Sequence, residues 1–141
     1  MQISDVLRAK GNDVATAGPA TGVAEILGLM ADLNIGALPI VEGNRLVGIV
    51  SERDVVRHLH SRGPQVLDGP VRDIMTTELV TCRPDDAAAS LARVMTDRRI
   101  RHIPVCRNDE LCGIVSIGDL VKARIDQLEQ EREQLASYIT Q

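Results

Sequence analysis

The chain has 141 residues, a formal net charge of −4 and one aromatic residue, Tyr138. The negative charge and the lack of aromatic stacking platforms argue against nucleic acid as a partner. No stretch approaches the roughly 20 apolar residues of a membrane span, so we expect no membrane partner either. Three cysteines and the lack of a signal peptide pattern predict a reduced, cytoplasmic protein.

Each half of the chain carries the same order of predicted elements. An extended piece, at 14–16 and again at 79–81, precedes a helix with apolar residues at helical spacing. Two short strands joined by a polar turn follow, and a second helix starts at Ser51 or Ser116. The predicted strands are 38–41, 46–50, 103–106 and 111–115. The pattern predicts an α+β fold in which two β-α-β-β-α units pack their sheets together.

These matching elements reflect an internal repeat. The sequence GALPIVEGNRLVGIVSERDVVR, residues 36–57, aligns without a gap on RHIPVCRNDELCGIVSIGDLVK, residues 101–122. The match continues upstream, which indicates a tandem duplication. We expect a first repeat over 1–65, a second over 66–125 and a C-terminal helical extension over 126–141.

The last predicted helix carries a heptad-like seam interrupted by one arginine. The seam consists of Val121, Ile125, Leu128, Arg132, Leu135 and Ile139. We expect its apolar edge to dock on the body of the protein or on a second subunit. A solvated tail is the alternative.

The motif Gly-Ile-Val-Ser-x-x-Asp occurs at 48–54 and at 113–119, each time after a proline between apolar residues. In this duplicated setting the chain resembles the stand-alone CBS-domain pair proteins, named after cystathionine β-synthase. The resemblance covers about residues 1–125 and implies two repeats with pseudo-twofold symmetry and two clefts. It further implies a regulatory module that binds an adenosine-containing ligand: AMP, ADP or ATP, or else NAD(H) or S-adenosylmethionine. It also implies a homodimer, no required cofactor and an unidentified regulated protein.

Both Ser-x-x-Asp motifs fall where a strand turns into a helix. Their plain interpretation is a capping box, in which serine and aspartate satisfy each other's backbone N–H groups. The functional interpretation uses the same geometry, because a helix N-terminus attracts phosphate and a carboxylate can accept both hydroxyls of a ribose. The resemblance favours the second interpretation, since the matching residues line the nucleotide cleft in this family.

The resemblance adds further positions to each cleft: the end of the extended piece, the residues before the proline, and nearby cations. The candidate ligand-binding residues are Thr16, Ala37, Leu38, Ser51, Arg53, Asp54, Thr81, Arg101, His102, Ile103, Ser116, Gly118 and Asp119. The alternative for the aliphatic members is an ordinary place in the core. Because Arg101 and His102 stand where the first repeat has Gly36 and Ala37, we expect unequal clefts, with the second better equipped for phosphate.

Two other functions stay open from the sequence. Cys82, Cys106 and Cys112 lie in the second repeat and would allow a metal- or redox-responsive protein, although their spacing is unlike that of zinc sites. Buried small thiols are the simpler interpretation. A ligand-independent interaction or dimerisation module would instead use the repeat faces or the last helix. The sequence contains no P-loop, nucleophile elbow or zinc-protease motif that would indicate an enzyme.

Overall fold

The computed structural model describes residues 1–11 and 13–140, which form five α-helices and four β-strands. The helices are α1 (Ile3–Lys10), α2 (Val23–Leu33), α3 (Glu52–Arg62), α4 (Ala88–Arg98) and α5 (Ile117–Thr140). The strands are β1 (Ala37–Glu42), β2 (Arg45–Ser51), β3 (His102–Arg107) and β4 (Glu110–Ser116). Within these residues, no helix combines the length and the apolar character that crossing a bilayer requires.

The two hairpins join edge to edge, whereas the sequence suggested two separate sheets packed together. Strands β1 and β2 pair antiparallel, as do β3 and β4, and Arg45 of β2 pairs with Glu110 of β4. The result is one four-stranded sheet in the order β1-β2-β4-β3. Arg45 and Glu110 are equivalent positions of the two repeats, so the pseudo-twofold relation passes through their contact. Backbone groups at the polar hairpin ends satisfy one another there, with Leu111 N donating to Asn44 O at 3.0 Å.

The extended pieces expected before the first helix of each repeat form isolated bridges and not full strands. Each bridge is parallel and lies one residue beyond the expected piece. The bridged pairs are Ala17 with Ile40 and Cys82 with Val105. Prolines follow two residues later, at Pro19 and Pro84, and a residue without an N–H cannot extend the ladder.

The two hydrophobic cores exchange segments. Apolar residues of α1 complete the core of the second repeat, and apolar residues of 64–74 complete the core of the first. The exchanged residues are Ile3, Val6 and Leu7 in one direction and Val66, Val71 and Ile74 in the other. Residues 3–7 and 71–75 match in sequence, yet the first segment is an α-helix and the second contains two short 3₁₀ helices, Pro64–Asp68 and Val71–Asp73.

Candidate functional site

The first Ser-x-x-Asp motif is a closed capping box at the N-terminus of α3. Ser51 N donates to Asp54 Oδ2 at 2.9 Å, and Asp54 N donates to Ser51 Oγ at 3.3 Å. Thr76 Oγ1 donates to the other carboxylate oxygen, Asp54 Oδ1, at 3.1 Å. Both carboxylate oxygens of Asp54 are therefore engaged by groups of the protein itself.

The second motif is the matching box at the N-terminus of α5. Ser116 N donates to Asp119 Oδ2 at 2.9 Å, and Asp119 N donates to Ser116 Oγ at 3.1 Å. Lys10 Nζ donates to the same Asp119 Oδ2 at 2.7 Å and to Ile114 O at 2.8 Å. Burial raises the pKa of Asp119, but the hydrogen bonds from Lys10 and Ser116 outweigh burial and leave that pKa below its ordinary value. Asp119 is therefore an ionised carboxylate held by an ammonium group.

The sequence reasoning missed Lys10 and Thr76. Both belong to the region upstream of a repeat motif and reach the opposite site only because the cores exchange segments. The upstream match, which places Ile3 on Val71, was the available signal, since it equates the two segments that carry these residues.

Arg53 crosses from the first repeat to the second. Its Nη1 donates to the carbonyl oxygen of Arg99 at 2.9 Å. Arg99 ends α4 in the left-handed conformation, with φ of 55°. The equivalent position to Arg53 in the second repeat is the exposed Gly118, which has no side chain to make a reciprocal contact. The two motifs therefore differ in their contacts as well as in their sequence.

His102 lies half-buried where the two repeats meet. A Cβ atom at Gly36 would lie 3.4 Å from His102 Cε1 and 3.7 Å from the carboxyl of Glu52. Burial lowers the pKa of His102 and Lys10 lowers it further, whereas Asp119 and Glu52 act in the opposite direction. The pKa of His102 therefore lies below its ordinary value, which favours the neutral ring in this conformation. Exposed Arg101 beside it also favours the neutral ring.

Three of the candidate positions have side chains in the core. Ala37, Leu38 and Ile103 are 4%, 0% and 1% exposed. Their side chains therefore follow the plain interpretation, and only their backbone could meet a ligand. Thr16 and Thr81 are exposed, each next to a bridge residue on the outer side of β1 or β3.

The CBS domain family matches the chain twice, over residues 3–61 and 71–126. The chain belongs to the CBS-domain family. It is 38% identical to the mitochondrial CBS domain-containing protein CBSX3 of Arabidopsis thaliana, over 97% of this chain and 71% of that protein. It is 34% identical to the CBS domain-containing protein YhcV of Bacillus subtilis, over 84% of each.

Solved structures of CBS proteins share the fold of this CBS pair. The CBS-domain containing protein ATU1752 from Agrobacterium tumefaciens is 38% identical, with a TM-score of 0.84 over 88% of this chain and 99% of that chain. The CBS domain pair of protein MJ0100 is 25% identical, with a TM-score of 0.77 over 87% of this chain and 98% of that chain.

The three cysteines of the CBS pair are protonated thiols at their raised pKa values and, within the described part of the chain, are not grouped with further metal-binding side chains. Burial raises the pKa of Cys82 to about 12, with a smaller contribution from Asp86. Burial also raises the pKa of Cys106 and of Cys112. Across residues 1–11 and 13–140, no group of three or more His, Cys, Asp or Glu side chains could hold a metal ion. The raised pKa values disfavour the reactive thiolate, so the metal or redox alternative gains no support.

Two surface cavities lie away from both motifs. One, of about 360 Å³, is lined by Val66 and Ile74 among others, and one of about 390 Å³ is lined by Leu7 and Arg107 among others. Neither cavity is lined by a residue of the two boxes. This is consistent with carboxylates that already bind groups of the protein itself.

Proposed function

We propose that this CBS pair is a regulatory protein that binds an adenosine-containing ligand and performs no chemistry on it. The observation that carries the proposal is the box of Ser116 and Asp119 with Lys10 Nζ 2.7 Å from the carboxylate. A helix N-terminus favours anions, a carboxylate can accept ribose hydroxyls, and an ammonium group can bind phosphate. The site therefore offers partners for the ribose and the phosphate of a nucleotide.

A solved relative supports this class of ligand. The structure of the CBS domain pair of protein MJ0100 is a complex with 5-methylthioadenosine and S-adenosyl-L-methionine. Both compounds contain adenosine. We propose AMP, ADP or ATP as the first candidates for this chain and NAD(H) or S-adenosylmethionine as the next.

The second cleft is the proposed main site. Lys10 binds Asp119, and His102 lies close enough to Lys10, Asp119 and Arg101 for their charges to act on it. In the first cleft, Asp54 has both carboxylate oxygens engaged, and its cation, Arg53, is bound to a backbone carbonyl of the other repeat. A ligand there would have to break more contacts before it could form its own.

The proposed regulation is a population shift. Lys10 ends α1, and α1 packs into the core of the second repeat. A ribose whose hydroxyls bind the carboxylate of Asp119 displaces Lys10 and so removes one contact between α1 and α5. A ligand that binds one of the two arrangements more tightly increases the population of that arrangement. In this proposal the CBS pair acts as a homodimer in the cytoplasm, and a regulated protein binds the two arrangements with different affinities.

A thermal-shift panel tests the proposal. It uses AMP, ADP, ATP, NADH and S-adenosylmethionine, with GTP as the control that differs in its base. A ligand at 100 times its Kd stabilises by about 2.7 kcal/mol, which raises the Tm by roughly 9 °C at this size. We expect Asp119→Ala to remove most of the shift and Asp54→Ala to remove less. No shift with any adenosine compound, or an equal shift with GTP, would contradict the proposal.

The exposed apolar seam of α5 favours one other function, a ligand-independent interaction module. The double variant Asp54→Ala, Asp119→Ala separates the two functions. If the protein regulates through a ligand, this variant loses both the thermal shift and the ligand dependence of partner binding. If it acts as an interaction module, partner binding is unchanged.

A further inference from the structure

The C-terminal half of α5 has no cover within its own chain. Of the 24 residues of α5, the first turns pack on the second repeat through Leu120, while every residue from 128 to 140 is exposed. The five apolar residues of the seam are between 46% and 80% exposed. The sequence allowed the whole seam to dock on the body of the protein. In the structure the seam does not dock there. A seam of this length exposed to water calls for a partner.

The heptad positions of α5 place charges on both sides of this seam. The a positions are Gly118, Ile125, Arg132 and Ile139, and the d positions are Val121, Leu128 and Leu135. The flanking g positions carry Arg124 and Glu131, and the flanking e positions carry Lys122 and Glu129. Each flank therefore has a basic residue near the body and an acidic residue one heptad further out.

We propose that α5 of a second copy of this chain covers the seam, antiparallel and centred between Asp126 and Gln127. In this register Ile125 packs on Leu128 of the second copy. On the two flanks, basic residues then meet acidic ones. The flanking pairs are Arg124 with Glu131 and Lys122 with Glu129, and each pair occurs twice by symmetry. This proposal goes beyond the proposed function, because it concerns how two copies meet and not what they bind.

A parallel, in-register pair fits the same charges less well. Such a pair would keep Arg124 against Glu129 but would place Arg132 against its own copy in the seam and Glu131 against Ala136. The antiparallel register places Arg132 beside Val121, near the edge of the pair, where the guanidinium reaches water. The charges along α5 therefore favour the antiparallel pair.

The charges that would pair are available on the surface. Among residues 1–11 and 13–140, the ion pairs shorter than 4.0 Å involve none of the four flanking residues. Arg124 Nη1 donates to Gln127 Oε1 at 3.0 Å on its own helix, an exposed contact that a carboxylate can replace.

The proposed register also brings the C-terminal end of one α5 close to the box of Ser116 and Asp119 in the other copy. Leu135 falls opposite Gly118, where a Cβ atom would meet Ser116 Oγ at 3.7 Å. A residue without a side chain leaves room for the leucine at that layer. Dimerisation and the second cleft would thus share the first turn of α5.

Sedimentation equilibrium on the full chain tests the register. We expect a dimer that weakens as the salt concentration rises, because exposed pairs are screened. Glu131→Arg turns both of its pairs into repulsions and is expected to raise the dimer Kd at least about tenfold. Adding Arg124→Glu in the same chain exchanges the charges and is expected to restore the dimer. Glu133→Arg, the same change at an outer b position, is the control and is expected to leave the Kd within about twofold.

Three outcomes would overturn the proposal. The first is a wild-type monomer at tens of micromolar concentration. The second is a dimer that Glu131→Arg does not weaken, which would place the interface elsewhere. The third is a Glu131→Arg loss that Arg124→Glu does not reverse, provided that circular dichroism shows unchanged helix content in every variant. None of these outcomes depends on whether a nucleotide binds.

Discussion

Lys10 Nζ and Asp119 Oδ2 lie 2.7 Å apart although 109 positions of sequence separate the two residues. Their side chains are 33% and 23% exposed, so the pair is partly shielded from water. The contact joins the end of α1 to the N-terminus of α5. Any ligand that uses Asp119 must therefore compete with a lysine of the same chain, and the same lysine is positioned to help bind a phosphate.

Replacing Lys10 should separate these two effects. Lys10→Met frees Asp119, so we expect adenosine, which has no phosphate, to bind about 2–5-fold more tightly. ATP should bind more weakly by a similar factor, because a cation near its phosphates is lost. Isothermal titration calorimetry with both ligands measures the two changes. Arg8→Met, at an exposed residue of the same helix, is the control. Equal changes for adenosine and ATP would contradict the competition.

Acidification should destabilise the protein through His102. Its pKa in the folded protein lies below the ordinary value, so between that pKa and about 6.5 the unfolded chain binds more protons than the folded one. The free energy of unfolding is therefore largest above about pH 6.5 and falls as the pH drops from about 6.5 towards the folded pKa. Asp119, whose pKa is also lowered, acts in the same direction only below about pH 4.

Urea denaturation near pH 7.5 and near pH 5 measures the effect of His102. We expect the wild type to lose more of its free energy of unfolding than His102→Gln over this interval. His60→Gln, at an exposed histidine, is the control and should behave as the wild type does. An equal loss in His102→Gln and the wild type would show that other groups carry the pH dependence.

Much of the fold was predictable because its signals are local. The duplication, the two hairpins and both capping boxes follow from short patterns of apolar, turn and capping residues. The exchange of segments was not predictable, because α1 and the segment before Thr76 carry similar sequences and either could have packed in its own repeat. The contacts that decide the exchange lie far apart in sequence, and Lys10 reached the candidate site only through them.

The exchange of segments gives two equivalent glycines different neighbours. The two positions should therefore differ in how well they tolerate an added methyl group. A Cβ atom at Gly48 would lie 2.6 Å from Met75 Sδ and 3.2 Å from the backbone oxygen of Thr76. A Cβ atom at Gly113 would lie 2.9 Å from Cδ2 of Leu7, and the next two nearest atoms belong to the same side chain. A side chain can rotate away, whereas a backbone carbonyl in a bridge cannot.

We therefore expect Gly48→Ala to lower the free energy of unfolding by about 2–3 kcal/mol and Gly113→Ala by about 1 kcal/mol. Urea denaturation gives both values. Gly113→Ala with Leu7→Ala should show non-additivity, because the smaller residue removes the clash. A larger loss for Gly113→Ala than for Gly48→Ala would mean that Leu7 is less free to move than Met75.

The ends of α2 and α4 offer a test of backbone strain in equivalent positions. Asn34 and Arg99 both adopt the left-handed conformation, with φ of 54° and 55°. In each case the next residue donates its N–H to the helix, Ile35 to Met30 O and Ile100 to Met95 O. Asparagine tolerates this conformation better than arginine does. The second repeat therefore holds the more strained helix end.

Arg99→Asn should raise the free energy of unfolding by about 0.5–1 kcal/mol, and Asn34→Arg should lower it by a similar amount. The bond from Arg53 is kept in Arg99→Asn, since it is made to the backbone carbonyl. Urea denaturation of the two variants beside Arg98→Asn, one residue inside α4, provides the comparison. Stabilisation by Arg99→Asn would assign the cost to the backbone, whereas destabilisation would mean that the arginine side chain contributes more than its strained conformation costs.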